Sequence, residues 1–200
     1  MRIIAGRFRG RPLISPKSLA VRPTTDRVRE ALFSILGERV VGSRVLDLFA
    51  GTGALGLEAL SRGAAHAVFV DTNRASLALL RSNLERCQVT SSEAECLGLP
   101  VASAISRLQA QGRRFDLIFM DPPYGQGWIS KTLALLDPIA APDALILAEH
   151  HNKEDVPETL HPWGKVDQRR YGTVCVTFYA RGSEAPRADE ASRRDHVKTL

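Results

Sequence analysis

Cysteine is scarce and odd in number. Cys87, Cys96 and Cys175 make up the whole complement, and none has the close spacing of a zinc or thioredoxin-like motif, so no disulfide framework is expected and a reducing cytosol suits the chain. No apolar run approaches the ~18 residues of a membrane span. The opening "MRIIAGRFRGRPL" is too basic, and its apolar run too short, for a signal peptide. A soluble, cytoplasmic protein with no membrane partner is therefore expected. There is no internal repeat. His150 and His151 are the one pair that suggests a metal, but adjacent residues of an extended segment point to opposite sides, so ordinary solvent-exposed histidines are expected and no metal is assigned. What is present is enough apolar material for a core: 200 residues at 44% hydrophobic content fit one α/β domain, which buries roughly 70% of the unfolded surface without covalent staples.

The net charge of +5 is unevenly spread. Residues 1–44 hold ten Lys/Arg against Asp26, Glu30 and Glu38, a surplus of seven, so the other 156 residues carry −2. Positive charge beside a near-neutral body is what binding a phosphate backbone requires, because each neutralised phosphate releases condensed counterions. A merely solubilising face is the competing reading of the charge alone.

The segment "RIIAGRFRGRPLISP" alternates in character and turns at Gly6 and Gly10, which predicts a small two-stranded ribbon carrying Arg7, Arg9 and Arg11. Val28, Ala31, Leu32 and Ile35 repeat at helical spacing after a Thr-Thr-Asp cluster, predicting an amphipathic helix from about Asp26 to Leu36, with Arg27 and Glu30 near its exposed side. From Arg44 the pattern alternates strand and helix: "RVLDLFA", a glycine loop, "LEALSRG", "HAVFVD", "NRASLALLRSNLERC", "VASAISRLQAQG", "FDLIFM", "ISKTLALLD" and "ALILAEH". Such alternation implies right-handed crossovers and a doubly wound, mainly parallel sheet. "KVDQRRY" and "TVCVTFYAR" flank Gly172 too closely for a helix, so they form an edge hairpin with one strand antiparallel to the rest. The expected organisation is a basic extension (1–43) suited to phosphate contact, a doubly wound domain (44–180) and a polar, disordered tail (181–200). Trp128 and Trp163 are expected to cover the pocket rim and core.

"GTGALG" follows a strand and opens a helix, and Asp71 ends the next strand 20 residues after Gly51. Glycines there admit a ligand close to the backbone, the helix start favours an anion, and the acid accepts from ribose hydroxyls. A dinucleotide and S-adenosylmethionine both satisfy this pattern. Asp47, inside the first strand, is costly to bury unless it faces a ligand or a hydrogen-bonded partner. It is expected to help hold the methionine part of a cofactor, the alternative being a carboxylate satisfied by loop N–H groups.

"MDPPYGQG" leaves the fourth parallel strand at a carboxyl end of the sheet, where open α/β proteins bind ligands. The Asp121 carboxylate and the Pro122 carbonyl can accept the two hydrogens of a nucleobase amine and aim its lone pair at an electrophilic methyl. Prolines add no N–H donors, and Tyr124 offers a ring for the base to stack on. No nucleophilic Cys follows Pro122, so methylation at a pyrimidine carbon is not expected.

"VLDLFAGTGALGLEALSRGA" with "FDLIFMDPPY" resembles the class I S-adenosylmethionine-dependent amino-methyltransferases. "MRIIAGRFRGRPL", "RPTTDRVREALFSIL" and "RRYGTVCVTFY" resemble, more closely, the RsmD family of bacterial 16S ribosomal RNA guanine-N2 methyltransferases, over Met1 to about Tyr179. The resemblance implies a Rossmann-like, seven-stranded sheet with an antiparallel last strand, S-adenosyl-L-methionine as cofactor, and small-subunit ribosomal RNA, within the subunit or an assembly intermediate, as substrate and partner. It implies cofactor contacts at Asp47, Ala50, Gly51, Gly53 and Asp71, and target-amine contacts at Asp121, Pro122 and Tyr124. Asp71 stands where the family usually has Glu, and Ser103 where it usually has an Asp near the adenine. Arg7, Arg9, Arg11, Arg22, Arg27 and Arg170 are expected to contact RNA, and the protein is expected to be a monomer. An N6-adenine methyltransferase acting on DNA or RNA shares the same loop, and a nicotinamide-dependent oxidoreductase shares the glycine loop.

Overall fold

The computed structural model describes residues 1–15 and 26–182. Arg22, Lys17 and residues 183–200 of the expected tail lie outside the described residues. The chain runs α1 (Asp26–Leu36), a 3-10 turn, β1 (Arg44–Leu48), α2 (Ala54–Ser61), β2 (His66–Val70), α3 (Arg74–Arg86), β3 (Ala94–Leu97) and α4 (Val101–Ala110). It continues through β4 (Phe115–Met120), α5 (Trp128–Leu136), β5 (Ala140–His151), β6 (Thr159–Leu160), β7 (Trp163–Tyr171) and β8 (Val174–Arg181).

One sheet in the order β3-β2-β1-β4-β5-β8-β7-β6 organises these elements. β1 to β5 are parallel, while β8 runs antiparallel to both β5 and β7. The expected hairpin and its reversed strand are thus present. Among the described residues the sheet has eight strands rather than seven because the two-residue β6 adds to the outer edge of β7. Strand order reverses between β1 and β4, and at such a switch point the carboxyl-end loops diverge and leave a crevice.

Both faces of the sheet are covered, as continuous apolar strands demand. On one face Val45, Leu117, Phe119, Leu147, Val176 and Phe178 pack beneath α1, α2 and α3, together with Ile3, Phe8 and Leu13 of the extension. On the other, Leu46, Val68, Ile118 and Ile146 pack beneath α4 and α5, with Trp163 and Tyr179. α1 matches the predicted helix and buries Val28, Leu32, Phe33 and Leu36. α3 starts at Asn73, whose side chain accepts from the N–H groups of Ala75 and Ser76, the usual way to satisfy orphan donors at a helix start.

The predicted amino-terminal ribbon is not a two-stranded ladder. Residues 1–13 form a tight loop with one antiparallel bridge, Arg2 to Pro12. The amides beside the bridge bond across it, Ile3 N to Arg11 O and Leu13 N to Met1 O, both at 3.0 Å, but Arg11 N turns to Phe8 O at 3.0 Å and the ladder goes no further. Glu58 on α2, in the buried centre of the molecule, accepts from Ile4 N (2.8 Å) and Ala5 N (3.1 Å). Ser61 Oγ accepts from Phe8 N (3.0 Å), and the Ser61 carbonyl accepts from Arg7 N (2.8 Å). Gly6, at φ +82°, lies so close that a Cβ there would collide with the Ser61 carbonyl. The extension is therefore seated on α2 through side chains that stand in for a partner strand.

Candidate active site

The glycine loop occupies the carboxyl end of β1. Gly53, at φ +82°, is the residue before α2, and a Cβ on it would drive into Leu80. Among the described residues no atom stands within 4 Å of a Cβ position on Gly51, so none of them closes over this part of the loop. Phe49 has φ 60°, a conformation uncommon for a bulky residue and found at ligand-binding turns; its ring meets that of Trp128 edge-on at 5.8 Å.

Asp71 leaves β2 with both oxygens engaged, Oδ2 accepting from Gly51 N (2.7 Å) and Oδ1 from Asn73 N (2.7 Å). A carboxylate has about four acceptor sites, so capacity for hydroxyls is left. Ala50, half-buried, donates its N–H to the Val70 carbonyl at 2.9 Å, tying the loop to β2. Asp47 is 2% exposed, and its Oδ2 accepts from Gly56 N at 2.9 Å. This oxygen is thus met by an amide in the first turn of α2. Burial pushes the Asp47 carboxyl up from 3.8 to about 7; the Gly56 bond opposes this and the charge of Asp71 adds to it. A Cβ on Gly56 would strike the Phe69 ring and come within 3.1 Å of Asp47 Oδ2, so this glycine allows the carboxylate its place.

Asn83 completes the loop's support. It is fully buried on α3, and its Nδ2 donates to Thr52 O (3.0 Å) and Ile14 O (3.1 Å) while its Oδ1 accepts from Ile14 N (2.7 Å). Ser103, by contrast, is exposed on the first turn of α4, whose buried residues are Ala104, Ile105 and Leu108. Leu99, in the loop from β3, packs against the core there.

Across the switch point, β4 delivers Asp121 half-buried, Pro122 buried and Tyr124 36% exposed. The Tyr124 hydroxyl donates to Glu149 Oε1 at 3.1 Å, and its ring lies 6.1 Å from that of His151. Glu149, on β5, is 5% exposed. Sequence reasoning missed it, although an acid closing an otherwise apolar strand ("ALILAE") is a signal of the kind that marked Asp47. Trp128 borders the loop as expected, and Trp163 is buried.

His150 is buried, contrary to the expectation of exposure. Adjacent residues do point to opposite sides, but β5 is an inner strand with cover on both. His150 Nε2 lies 2.8 Å from Thr177 Oγ1 and Nδ1 lies 3.0 Å from the His151 carbonyl; burial lowers its pKa. Among the described residues no group of His, Cys, Asp or Glu is arranged to hold a metal.

The basic residues divide into two kinds. Arg7 pairs with Glu93 at 2.5 Å and Arg11 Nη1 donates to the Arg86 carbonyl at 2.6 Å, with Phe8 between them: their guanidinium carbons stand 4.4 and 5.5 Å from its ring centre. These two charges also fasten the extension. Arg9 and Arg27 are exposed. Arg170, exposed at the β7–β8 turn, donates to the Gly172 carbonyl at 3.0 Å. Arg29 was not singled out, yet it is fully buried and donates to Arg2 O and Asp26 Oδ1; burial lowers its pKa.

Dehydrogenases also use a glycine loop after the first strand. The antiparallel β8 between β5 and β7 instead makes this the Rossmann-like fold of the class I methyltransferases. Within that class, the chain belongs to the family described as conserved hypothetical protein 95, whose model matches residues 1–180. It is 37% identical over 186 residues to ribosomal RNA small subunit methyltransferase D of Escherichia coli K12, with 92% of this chain and 91% of that one covered. The protein of the same name from Haemophilus influenzae is 35% identical over 182 residues, with coverage of 90% and 93%. The solved structure of Escherichia coli yhhF superposes with a TM-score of 0.79 at 36% identity, covering 92% of this chain and 99% of that one.

Proposed function

We propose that this protein transfers a methyl group from S-adenosylmethionine to the exocyclic N2 amine of a guanine in small-subunit ribosomal RNA. The observation that carries this is the meeting, at one switch point, of the open glycine loop on β1 and the Asp-Pro-Pro-Tyr loop on β4. The relatives' names supply the RNA.

The site fits the cofactor. None of the described residues stands where a side chain of Gly51 would lie, Asp71 retains acceptor capacity for a ribose, and Asp47 supplies a carboxyl for a cationic methionine end. Gly53 and Ala50 shape the same turn. Ser103, exposed on the first turn of α4, is the residue assigned to the adenine. When bound, S-adenosylmethionine supplies an electrophilic methyl on a sulfonium. Asp121 and the Pro122 carbonyl accept the two amine hydrogens, which turns the nitrogen lone pair, otherwise delocalised into the base, towards that methyl. Tyr124 stacks the base, worth ~1–3 kcal/mol. Orientation of this kind can lower a barrier by ~7–11 kcal/mol, so no strong base is needed; the proton leaves after transfer, when the substituted amine is acidic. Arg9, Arg27 and Arg170 meet phosphates from exposed positions, with Arg7 and Arg11 contributing from the seated loop. In this proposal the enzyme is a cytoplasmic monomer acting on the subunit or an assembly intermediate.

Tritiated methyl transfer to small subunits from a strain lacking this protein, followed by nucleoside digestion, tests the proposal. N2-methylguanosine is the expected product. N6-methyladenosine would overturn the choice of base, and tight NAD binding without S-adenosylmethionine binding would overturn the enzyme class.

A further inference from the structure

With small-subunit ribosomal RNA as the proposed substrate, we infer that residues 1–13 and the carboxyl end of α3 form a second RNA-docking surface, remote from the reacting centre, which grips phosphates of a segment other than the one carrying the target base. Leu117, Val45, Ala67 and Ala94 stand in one row across β4, β1, β2 and β3. Asp121 lies four residues beyond Leu117, and Glu93, the partner of Arg7, one residue before Ala94. The two are therefore roughly 16 Å apart along the strands and roughly 14 Å apart across them, about 22 Å in all. Arg7 N bonds to the last residue of α2 and Arg11 to the last residue of α3, so the basic loop sits at the amino ends of the strands. Lys153 and Arg170 mark the opposite end: they flank the pair His151–Val174, and the His151 ring lies beside Tyr124. A duplex rises roughly 3.4 Å per nucleotide. Immediate neighbours of the target therefore do not span the gap.

The loop holds its charges in fixed places. Residues 1–15 contain Arg2, Arg7, Arg9 and Arg11 and no acid. A merely solubilising face needs no set geometry, yet here the buried Glu58 carboxylate is committed to the amides of Ile4 and Ala5, and taking a carboxylate out of water is costly unless such donors offset it. Phe8 is buried with the Arg7 and Arg11 guanidiniums over its ring. A guanidinium has five donors; Arg7 directs one at Glu93 and Arg11 one at the Arg86 carbonyl, so both retain donors for phosphate oxygens. Arg9, in the same turn, and Arg86, at the end of α3, are exposed. Planar, multidentate cations in a set arrangement match phosphate better than they match bulk water. The partner this face fits is a polyanion, and the substrate RNA is the polyanion the active end already engages.

The test places a cleaving probe at each end of the full-length protein. Iron-EDTA is tethered to a Glu85→Cys variant, exposed on the last turn of α3 so that every arginine is kept, or to a Lys153→Cys variant, exposed beside the reacting centre. The unsubstituted protein, treated alike, gives the background from Cys87, Cys96 and Cys175. Each is bound to small subunits lacking the methyl group, and hydroxyl-radical cuts in the RNA are mapped. Cuts from position 153 should flank the target; cuts from position 85 should fall in a separate segment, at least about six nucleotides away. Arg9→Glu combined with Arg86→Glu should raise KM for the subunit about tenfold and reduce the salt slope of binding by about 1.5, at ~0.7–0.9 for each phosphate. Calorimetry with S-adenosylmethionine and thermal melting confirm folded variants. Position-85 cuts that are absent, as they would be if a protein covered this face, or that coincide with those from position 153, overturn the inference; so does a KM within about twofold of wild type. Failure of the parent proposal is distinguishable: it appears as silence from both probes, or as a wild-type product other than N2-methylguanosine, whereas failure of the inference alone leaves the position-153 cuts in place.

Discussion

Cofactor affinity should depend on pH through Asp47. Its carboxyl is raised from 3.8 to about 7, chiefly by burial, so at neutral pH the free protein holds it partly protonated. A cationic ligand end placed against it favours the charged form. Should binding restore an ordinary carboxyl, the coupling has a ceiling of about 4 kcal/mol, at ~1.36 kcal/mol for each tenfold change in proton affinity. The sign is set by which state holds the proton. Complex formation releases it, so affinity rises with pH by up to ~10-fold per pH unit below 7 and levels off above. From pH 5 to pH 7 the gain is at most about 100-fold. Folding has the opposite sign: the native state binds this proton more tightly than the unfolded chain, so Asp47 costs stability as pH climbs from 3.8 towards 7. Asp47→Asn should flatten the affinity profile and raise the melting temperature of the cofactor-free protein at pH 8. Calorimetry with S-adenosylmethionine at pH 5, 6, 7 and 8, in buffers of differing ionisation enthalpy, reads both the affinity and the proton released. A flat wild-type profile, or the same slope in Asp47→Asn, refutes the linkage.

Gly56→Ala sets a methyl against Phe69 and Asp47; overpacking of this kind costs ~1–3 kcal/mol and should appear as a lower melting temperature together with weaker cofactor binding. Glu58→Ala leaves Ile4 N, Ala5 N and Arg62 Nε without their acceptor, an expected loss of about 3–5 kcal/mol in chemical denaturation, with proteolysis beginning in residues 1–15. Arg9→Glu should reduce the slope of log affinity for RNA against log salt by about 1, since each phosphate contributes ~0.7–0.9, at unchanged melting temperature. Arg7→Glu also breaks the Glu93 pair, so it should lower both; an unchanged salt slope in Arg9→Glu would exclude that side chain from RNA contact.

The doubly wound core was legible because its signals are local and repeated. Apolar strands alternate with amphipathic helices, and Gly172 closes a hairpin too short to hide a helix. Asp47, Asp71 and the Asp121–Tyr124 loop were legible for another reason: each is a polar group at a strand position where burial demands a cause. β3 (Ala94–Leu97) was not located, because three of its four residues are only half-buried and include Glu95 and Cys96. The extension keeps only one bridge of the expected ribbon because the donors of Ile4, Ala5 and Phe8 are met by Glu58 and Ser61, more than fifty residues away, and such pairing leaves no period in the sequence. A buried acid within the otherwise apolar "ALGLEALS" was the available clue. His150 was misplaced because strand alternation tells which side a residue faces but not whether that side is covered. Asn83 had no signal at all: amid "RSNLERC" it reads as one more polar residue of a surface helix.

Asn83 has a consequence for how this enzyme can be taken apart. One buried amide commits both donors and its acceptor to two segments, Ile14 of the extension and Thr52 of the glycine loop. The two are fastened at the same rivet, so neither is an interchangeable module. A catalytic domain trimmed to begin at β1 would lose the arm and also leave the amide facing an empty seat, with the Thr52 carbonyl held by a side chain that has lost its other anchor. Grafting the extension onto another methyltransferase would, by the same logic, require an asparagine at the matching turn of the third helix.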